Sequence, residues 1–397
     1  MSRHPALERP EDRGWMAEAL ALAARGQGLT SPNPMVGALV VRDGQVVGRG
    51  FHERAGGAHA EVAALGEAGT RARGATLYVT LEPCNHHGRT PPCVEAVIRA
   101  RIARVVVAVA DPNSRVTGGG ARALTAAGLD VTMGCLEPAA RAFNRVFFTA
   151  MERTRPHVTL KCAMTLDGKI AAADRSSRWI TGEQARAEAH LLRSRSDAVI
   201  VGIGTALADD PALTVRRTPL PAREPLRVVV DSRARLPITA RLIEAGSPAR
   251  VVVAVADEAA AERVARLEAA GVSVLQCKSR HGRVDVADLC ARLFAREVMG
   301  VLLEGGSALN GSFLQAGLVD RVAMFIAPML LGGASAPTAI GGQGLALGDA
   351  LRLTAVTLRP LGEDWLLEGD ARHVDPLAPA GERGKGEGAP TAGWDVH

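Results

Sequence analysis

Apolar residues along this chain fall into short strand-length runs separated by stretches with helical spacing. After a polar lead, residues 15–24 read as a helix, and 36–41 and 45–49 read as two strands joined by a turn at Asp43-Gly44. Residues 58–68 are helical in pattern, with Val62 and Leu65 three apart. Residues 75–81 are strand-like, apolar positions at 94, 97, 98 and 102 predict a helix, and 104–110 form a buried-strand run. Gly118-Gly-Gly120 opens a further helix toward Ala127, which Gly128 ends before a strand at 129–133. Alternation of this kind predicts an α/β layer with a partly parallel sheet.

Residues 143–155 then run into Pro156, and a new strand is expected over 157–163. Further strands are expected at 198–202, 226–230, 250–256, 272–276, 300–303 and 321–327, several of them separated by helical stretches. This predicts two α/β domains, residues 1–150 and 157–372, joined by a linker at 151–156. From residue 373 to 397, Pro, Gly, Ala and charge replace the periodic pattern, and a disordered tail is expected.

At 397 residues the chain is longer than one hydrophobic core usually supports, in keeping with two domains. Aromatic residues make up only 3%, so the cores must rest on Val, Leu, Ile and Ala. The net charge of +5 is carried by arginines scattered along the chain, without the interleaved aromatics of a single-stranded nucleic-acid binder. A small-molecule substrate is expected, with no nucleic-acid partner. The six cysteines at 84, 93, 135, 162, 277 and 290 are too sparse for a disulfide scaffold, which points to a reducing cytoplasm. No apolar stretch approaches bilayer-spanning length, so no membrane partner is expected.

His59-Ala60-Glu61 is followed by Glu82-Pro83-Cys84 and, after eight intervening residues, by Cys93. One imidazole and two thiolates would give a single zinc ion three protein ligands and leave a fourth position for water, the coordination of a catalytic site. Glu61 is then free to carry protons between that water and a departing amine, as in zinc deaminases. Cys93 precedes a predicted helix, whose dipole should favour its ionisation. Taken singly, a lone His is usually a surface or satisfied core residue and two cysteines nine apart are usually inert thiols. Their joint placement makes the catalytic reading the better one. His86 and His87 lie between the cysteines and could complete a structural zinc site instead. A nucleoside or nucleic-acid deaminase with an accessory nucleotide-binding domain is the alternative, but the usual deaminase signature has only two residues between its cysteines.

That departure is informative. The insert Asn85-His-His-Gly-Arg-Thr-Pro-Pro92, with Thr80-Leu-Glu-Pro-Cys84, Ser31-Pro-Asn-Pro-Met-Val-Gly37 and Asp111-Pro-Asn113, closely resembles the deaminase half of the RibD family of bifunctional riboflavin-biosynthesis enzymes. Asn85 and Ser114 depart from the family pattern, but neither is a ligand or the proton carrier. Farther along, Lys161-Cys-Ala-Met-Thr-Leu-Asp-Gly-Lys169, Ser177-Arg-Trp-Ile-Thr181, the 204–216 segment and Leu303-Glu-Gly-Gly-Ser-Ala-Leu-Asn310 resemble its reductase half. The resemblance implies a cytidine-deaminase-like three-layer α/β/α domain followed by a dihydrofolate-reductase-like α/β domain. It further implies deamination of 2,5-diamino-6-(5-phosphoribosylamino)pyrimidin-4-one, then NADPH-dependent reduction of the ribosyl side chain to ribityl. Homo-oligomers occur in the family.

Residue by residue, the resemblance places NADPH against Ala163, Trp179, Thr205, Asp209 and the loop Gly306, Ser307, Ala308, Leu309, Asn310, Gly311 and Ser312. It places substrate against Ser177, Arg193, Leu213, Arg216 and Glu304, with the two arginines as a clamp for the sugar phosphate. Without the resemblance, Gly305-Gly306 before a helical stretch supports only a nucleotide-binding candidate, since it is not a Gly-x-Gly-x-x-Gly fingerprint.

Overall fold

The computed structural model describes residues 8–86, 91–113, 119–216, 223–244 and 250–372. His87, Ser114, Gly118 and the 373–397 tail lie outside the described residues. The first domain is built on strands β1 (Gly37–Arg42), β2 (Gln45–Phe51), β3 (Thr76–Val79), β4 (Arg104–Val107) and β5 (Asp130–Met133), in the order β2-β1-β3-β4-β5. The β1–β2 hairpin turns through Asp43 and Gly44, both at positive φ as the sequence demanded. β3, β4 and β5 run parallel.

Helices α2 (Ala60–Ala68), α3 (Cys93–Arg99) and α4 (Gly120–Ala126) cover one face through Ala60, Ala64, Val94, Val97 and Leu124. Helices α1 (Asp12–Ala23), α5 (Glu137–Phe143) and α6 (Arg145–Arg153) cover the other through Met16, Ala19, Ala140, Phe147 and Phe148. The result is three layers, α/β/α. Small residues set how closely they pack. A Cβ on Gly50 of β2 would come within 2.2 Å of the Ala60 carbonyl oxygen, so only glycine lets the first turn of α2 lie against the sheet. The chain breaks at Asn144 between α5 and α6.

The second domain holds nine strands in the order β10-β9-β8-β7-β13-β6-β14-β16-β15. They are β6 (His157–Thr165), β7 (Ala198–Gly202), β8 (Leu226–Val230), β9 (Val251–Ala256), β10 (Ser273–Cys277), β13 (Gly300–Leu303), β14 (Arg321–Ala327), β15 (Arg352–Leu361) and β16 (Asp364–Arg372). The short strands β11 (Ser279–Arg280) and β12 (Arg283–Val284) form a separate hairpin. From β10 to β14 the strands of the large sheet are parallel, and β16 and β15 are added antiparallel. Helices α11 (Val286–Phe294) and α12 (Ser307–Gln315) pack on one face. Helices α8 (Ile203–Asp209), α9 (Arg241–Glu244) and α10 (Ala261–Ala269) pack on the other, and α7 (Glu183–Ser194) lies against β14 and β16 through Ala185 and Ala189. The sequence pattern missed β15 and β16. β15 is exposed along most of its length and carries no alternating apolar signal.

Candidate active sites

In the first domain three element ends meet. His59 caps the N-terminus of α2, Cys84 follows the C-terminal end of β3, and Cys93 opens α3. Their ligand atoms all lie within 4.8 Å of one another, and among the described residues no other group of three or more His, Cys, Asp or Glu does so. His59 Nδ1 is 3.1 Å from Cys93 Sγ and 3.6 Å from Cys84 Sγ. Zinc bond lengths in a tetrahedron demand nitrogen-to-sulfur separations of about 3.5 Å, so these donors fit that ion with shifts of a few tenths of an ångström. His86 is exposed and does not join the group.

Burial pushes the Glu61 carboxyl up to about 7, poising it between acid and base near neutral pH, and its side chain reaches the Cys93 thiol. Of the two thiols, Cys84 ionises first. Hydrogen bonds from the Cys93 thiol, from His59 and from the Cys93 backbone N–H, at 3.3 Å, bring it down to about 4. Cys93 is the one pushed upward, by that neighbouring anion and by burial. Without an ion, the closer thiolate outweighs the half-charge of a short helix.

Residues that the sequence reading did not single out surround this group. The His52 ring stands edge-on to His59 with centroids 5.6 Å apart, and Asn33 Nδ2 lies 3.1 Å from His52 Nε2. Burial raises Asp111 to about 6, with Glu82, His86 and Cys84 also acting on it. Both Asn33 and Asp111 lie within segments the sequence marks, but only folding brings Asn33 to His52 and Asp111 to Glu82.

The second domain carries a cavity of about 620 Å³ at the C-terminal ends of parallel strands, where α/β proteins bind ligands. Of the residues expected against NADPH, Thr205, Asp209, Gly306, Ser307, Ala308, Leu309 and Ser312 line it, as does Ser177, whose hydroxyl donates to Asp209 at 3.2 Å. Gly306 caps α12, and a Cβ on Gly305 would stand 2.6 Å from Asn310 Oδ1, a buried atom with no hydrogen-bond partner. A glycine cradle and a free helix start suit a nucleotide pyrophosphate. Asn310 and Gly311 themselves point inward, toward Ala339 and Gly341, and Trp179 is 69% exposed with Arg186 stacked 4.6 Å over its ring. Ala163 packs near the α7 contact.

Arg193 is not a free phosphate clamp. Its guanidinium donates to both oxygens of Glu304 at 2.5 and 2.8 Å, and Lys161 Nζ lies 3.6 Å from the same carboxylate. In a buried setting a carboxylate beside two cations binds arginine more firmly than an exposed site would. Burial opposes ionisation of Glu304, but Arg193 and Lys161 overcome it and hold the carboxyl at about 2. Arg216 is exposed, and its backbone N–H donates to His190 at 3.3 Å. Leu213 is buried at positive φ. Lys161 and His190 are the residues here that sequence spacing did not reveal.

Comparison with known proteins decides what these two sites belong to. Residues 9–109 match the cytidine and deoxycytidylate deaminase zinc-binding region, and residues 156–367 match the RibD C-terminal domain. Riboflavin biosynthesis protein RibD of Actinobacillus pleuropneumoniae is 44% identical over 359 residues, covering 90% of this chain and 94% of that protein. The chain belongs to the RibD family. The RibD of Escherichia coli is 43% identical over 333 residues, 81% of this chain and 89% of its own length. The solved structure of Acinetobacter baumannii RibD superposes with a TM-score of 0.83 at 40% identity, covering 91% of this chain and 99% of that one. A Thermotoga maritima diaminohydroxyphosphoribosylaminopyrimidine deaminase/5-amino-6-(5-phosphoribosylamino)uracil reductase gives 0.79 at 35%, with 91% and 99% covered. As a RibD, the chain is a bifunctional deaminase and reductase of riboflavin biosynthesis, with a cytidine-deaminase-like domain ahead of a dihydrofolate-reductase-like one.

Proposed function

We propose that His59, Cys84 and Cys93 hold one zinc ion and that Glu61 carries the protons of a hydrolytic deamination. The substrate is 2,5-diamino-6-(5-phosphoribosylamino)pyrimidin-4-one. Zinc supplies the Lewis acidity that brings the pKa of a water toward neutrality. Glu61, buried at the first turn of α2 and poised at about 7, would pass one proton of the attacking water to the ring nitrogen and then carry the second to the departing amine, so that both protons of the water are accounted for. His52 and Asn33 border the same group and orient the ring.

In the second domain, NADPH supplies hydride to C1 of the opened ribosylamine of 5-amino-6-(5-phosphoribosylamino)uracil. Thr205, Asp209 and the Gly306–Ser312 segment hold the cofactor, and Ser177, Leu213, Arg216 and the Arg193–Glu304 pair, with Lys161, shape the substrate end. Arg193 acts by fixing Glu304 as an anion. We assign residues 1–150 to the deaminase and 157–372 to the reductase, joined by 151–156.

The observation that carries this reading is the convergence of one imidazole, two thiols and a buried carboxyl at three element ends. Purified protein supplied with the diaminopyrimidine should release ammonia, and should oxidise NADPH only after that release. NADPH oxidation without prior ammonia release would sink the order of steps; no ammonia release would sink the deaminase assignment.

We propose also that the protein is a cytoplasmic homo-oligomer with no nucleic-acid partner. Support comes from six unpaired cysteines and, among the described residues, no helix long and apolar enough to cross a membrane. The outer strands β15 and β16 leave Val356, Leu358 and Trp365 exposed, suited to burial against a second copy.

A further inference from the structure

The segment 211–216 follows α8 and carries Leu213 and Arg216, yet it pairs with no strand. Its backbone polar groups must therefore find side chains or water. Three side chains take them. Arg193 Nη1 donates to the Thr214 carbonyl at 3.4 Å, both carboxylate oxygens of Glu224 accept from Val215 N–H at 3.2 Å, and His190 Nδ1 accepts from Arg216 N–H at 3.3 Å.

His190 and Arg193 stand three positions apart on α7, so they share one face of that helix. Arg193 is already committed to Glu304 through two of its nitrogens, and its contact with Thr214 brings the segment beside that buried pair. His190 fastens the segment one turn of helix away. Leu213, buried at a φ of 52°, fixes the other end, and a non-glycine residue keeps that conformation only where its surroundings hold it.

An imidazole accepts a hydrogen bond only through an unprotonated ring nitrogen. Burial, together with the guanidinium groups of Arg193 and Arg216, holds His190 below its usual range, although Glu304 and the Thr214 carbonyl act the other way. The neutral, accepting form is therefore the resting one near neutral pH. Among the described residues no carboxylate forms an ion pair with Arg216, so its guanidinium is available to an anionic ligand once its backbone is fixed.

We propose that His190 is a positioning residue for the reductase: by accepting from Arg216 N–H it fixes the 213–216 segment against α7, so that Leu213 and Arg216 meet the substrate beside Arg193 and Glu304. The proposal rests on the reading of Leu213 and Arg216 as substrate residues. His190 acts through the backbone of Arg216 and leaves the Arg216 side chain to the phosphate ester.

Steady-state reduction by the full-length, zinc-loaded protein tests it, with the deaminated intermediate supplied and NADPH oxidation followed. His190→Leu keeps a side chain of similar bulk but has no acceptor, and should raise the KM for the intermediate about fivefold with kcat within about twofold. His190→Asn offers its Oδ1 in place of Nδ1 and should restore most of the affinity. Equal KM values in the leucine and asparagine variants overturn the proposal, because shape and not the acceptor would then be what matters. Neither His190 nor residues 213–216 line the cofactor cavity, so the KM for NADPH should stay as in the wild type. A parallel rise in it marks a general disturbance of the domain and overturns the positioning role. Arg216→Ala separates the proposal from the reading beneath it. If that variant raises the KM for the intermediate and His190→Leu does not, His190 is not the positioning group and the substrate reading stands. If neither variant raises it, the substrate reading of the segment falls and the proposal with it.

Discussion

Asn144 grips Met35 by both of its backbone polar atoms: the Asn144 carboxamide accepts from Met35 N–H at 3.0 Å and donates to its carbonyl at 2.8 Å. Asn144 is 3% exposed and stands at the break between α5 and α6, from which the chain leads into the second domain. Met35 ends the loop that carries Asn33 to His52. An interdomain cleft of about 430 Å³, lined in part by Asn33, Asn144, His157 and Arg321, runs beside this contact.

Asn144 is therefore a positioning residue for the deaminase. Asn144→Ala should raise the deaminase KM about tenfold with a smaller change in kcat, and bound zinc should stay near one per chain. Loss of two buried hydrogen bonds should also cost about 2 kcal/mol of stability. Asn144→Asp keeps the acceptor for Met35 N–H but cannot donate to the carbonyl, and should fall between the two. Equal KM values in the wild type and the alanine variant would refute the role.

Glu61→Gln keeps the shape of the buried side chain and removes its proton transfer. Ammonia release should fall by about a thousandfold, within the range for loss of a general acid and base. Zinc content should be unaltered, and so should NADPH oxidation when the deaminated intermediate is supplied. Chelation of zinc should give the same split between the two activities. Retention of ammonia release in the glutamine variant would remove Glu61 from the mechanism.

Arg193→Ala strands the Glu304 carboxylate in a buried site, with only Lys161 at 3.6 Å to balance it. The reductase domain should lose about 3 kcal/mol or more, read from urea unfolding. The double variant Arg193→Met/Glu304→Leu removes both charges and should recover much of that stability without recovering reduction. If the single variant is as stable as the wild type, the pair is not the buried unit its geometry describes.

Acid should weaken the second domain in two stages. Burial holds His157, 3% exposed at the start of β6, down at about 4, well below its usual 6.5. Between those values the unfolded chain binds the proton and the folded one does not, so stability rises with pH and is lost as pH falls from 6.5 toward 4. The amount is about 3 kcal/mol. Glu304, at about 2, adds a loss of the same sign below pH 4.5. Urea midpoints measured from pH 7 to 4.5 should drop in the wild type, and His157→Gln should flatten the curve.

The sequence alone marked the deaminase ligands, because each sits at a boundary that local pattern reveals: a helix start, a strand end and a proline-preceded helix. It also located the buried parallel strands, whose continuous apolar runs need no partner to be recognised. Pairings between residues far apart were not legible in it. Asn144 and Met35 are 109 positions apart, and Arg193 and Glu304 are 111 apart. Residue type gives no sign that either side chain will be held by the other. The same holds for β15, an exposed edge strand held by its ladder to β16 and not by burial of its own side chains. Asp231, directly after β8, is a further residue that sequence spacing did not single out. Only the tertiary structure, by turning its carboxylate under the backbone N–H groups of Arg235 and Leu236, decided that Ser232, Arg233 and Arg235 border the cavity. Local periodicity records which residues leave water, whereas the partner each buried polar group finds depends on how distant segments pack.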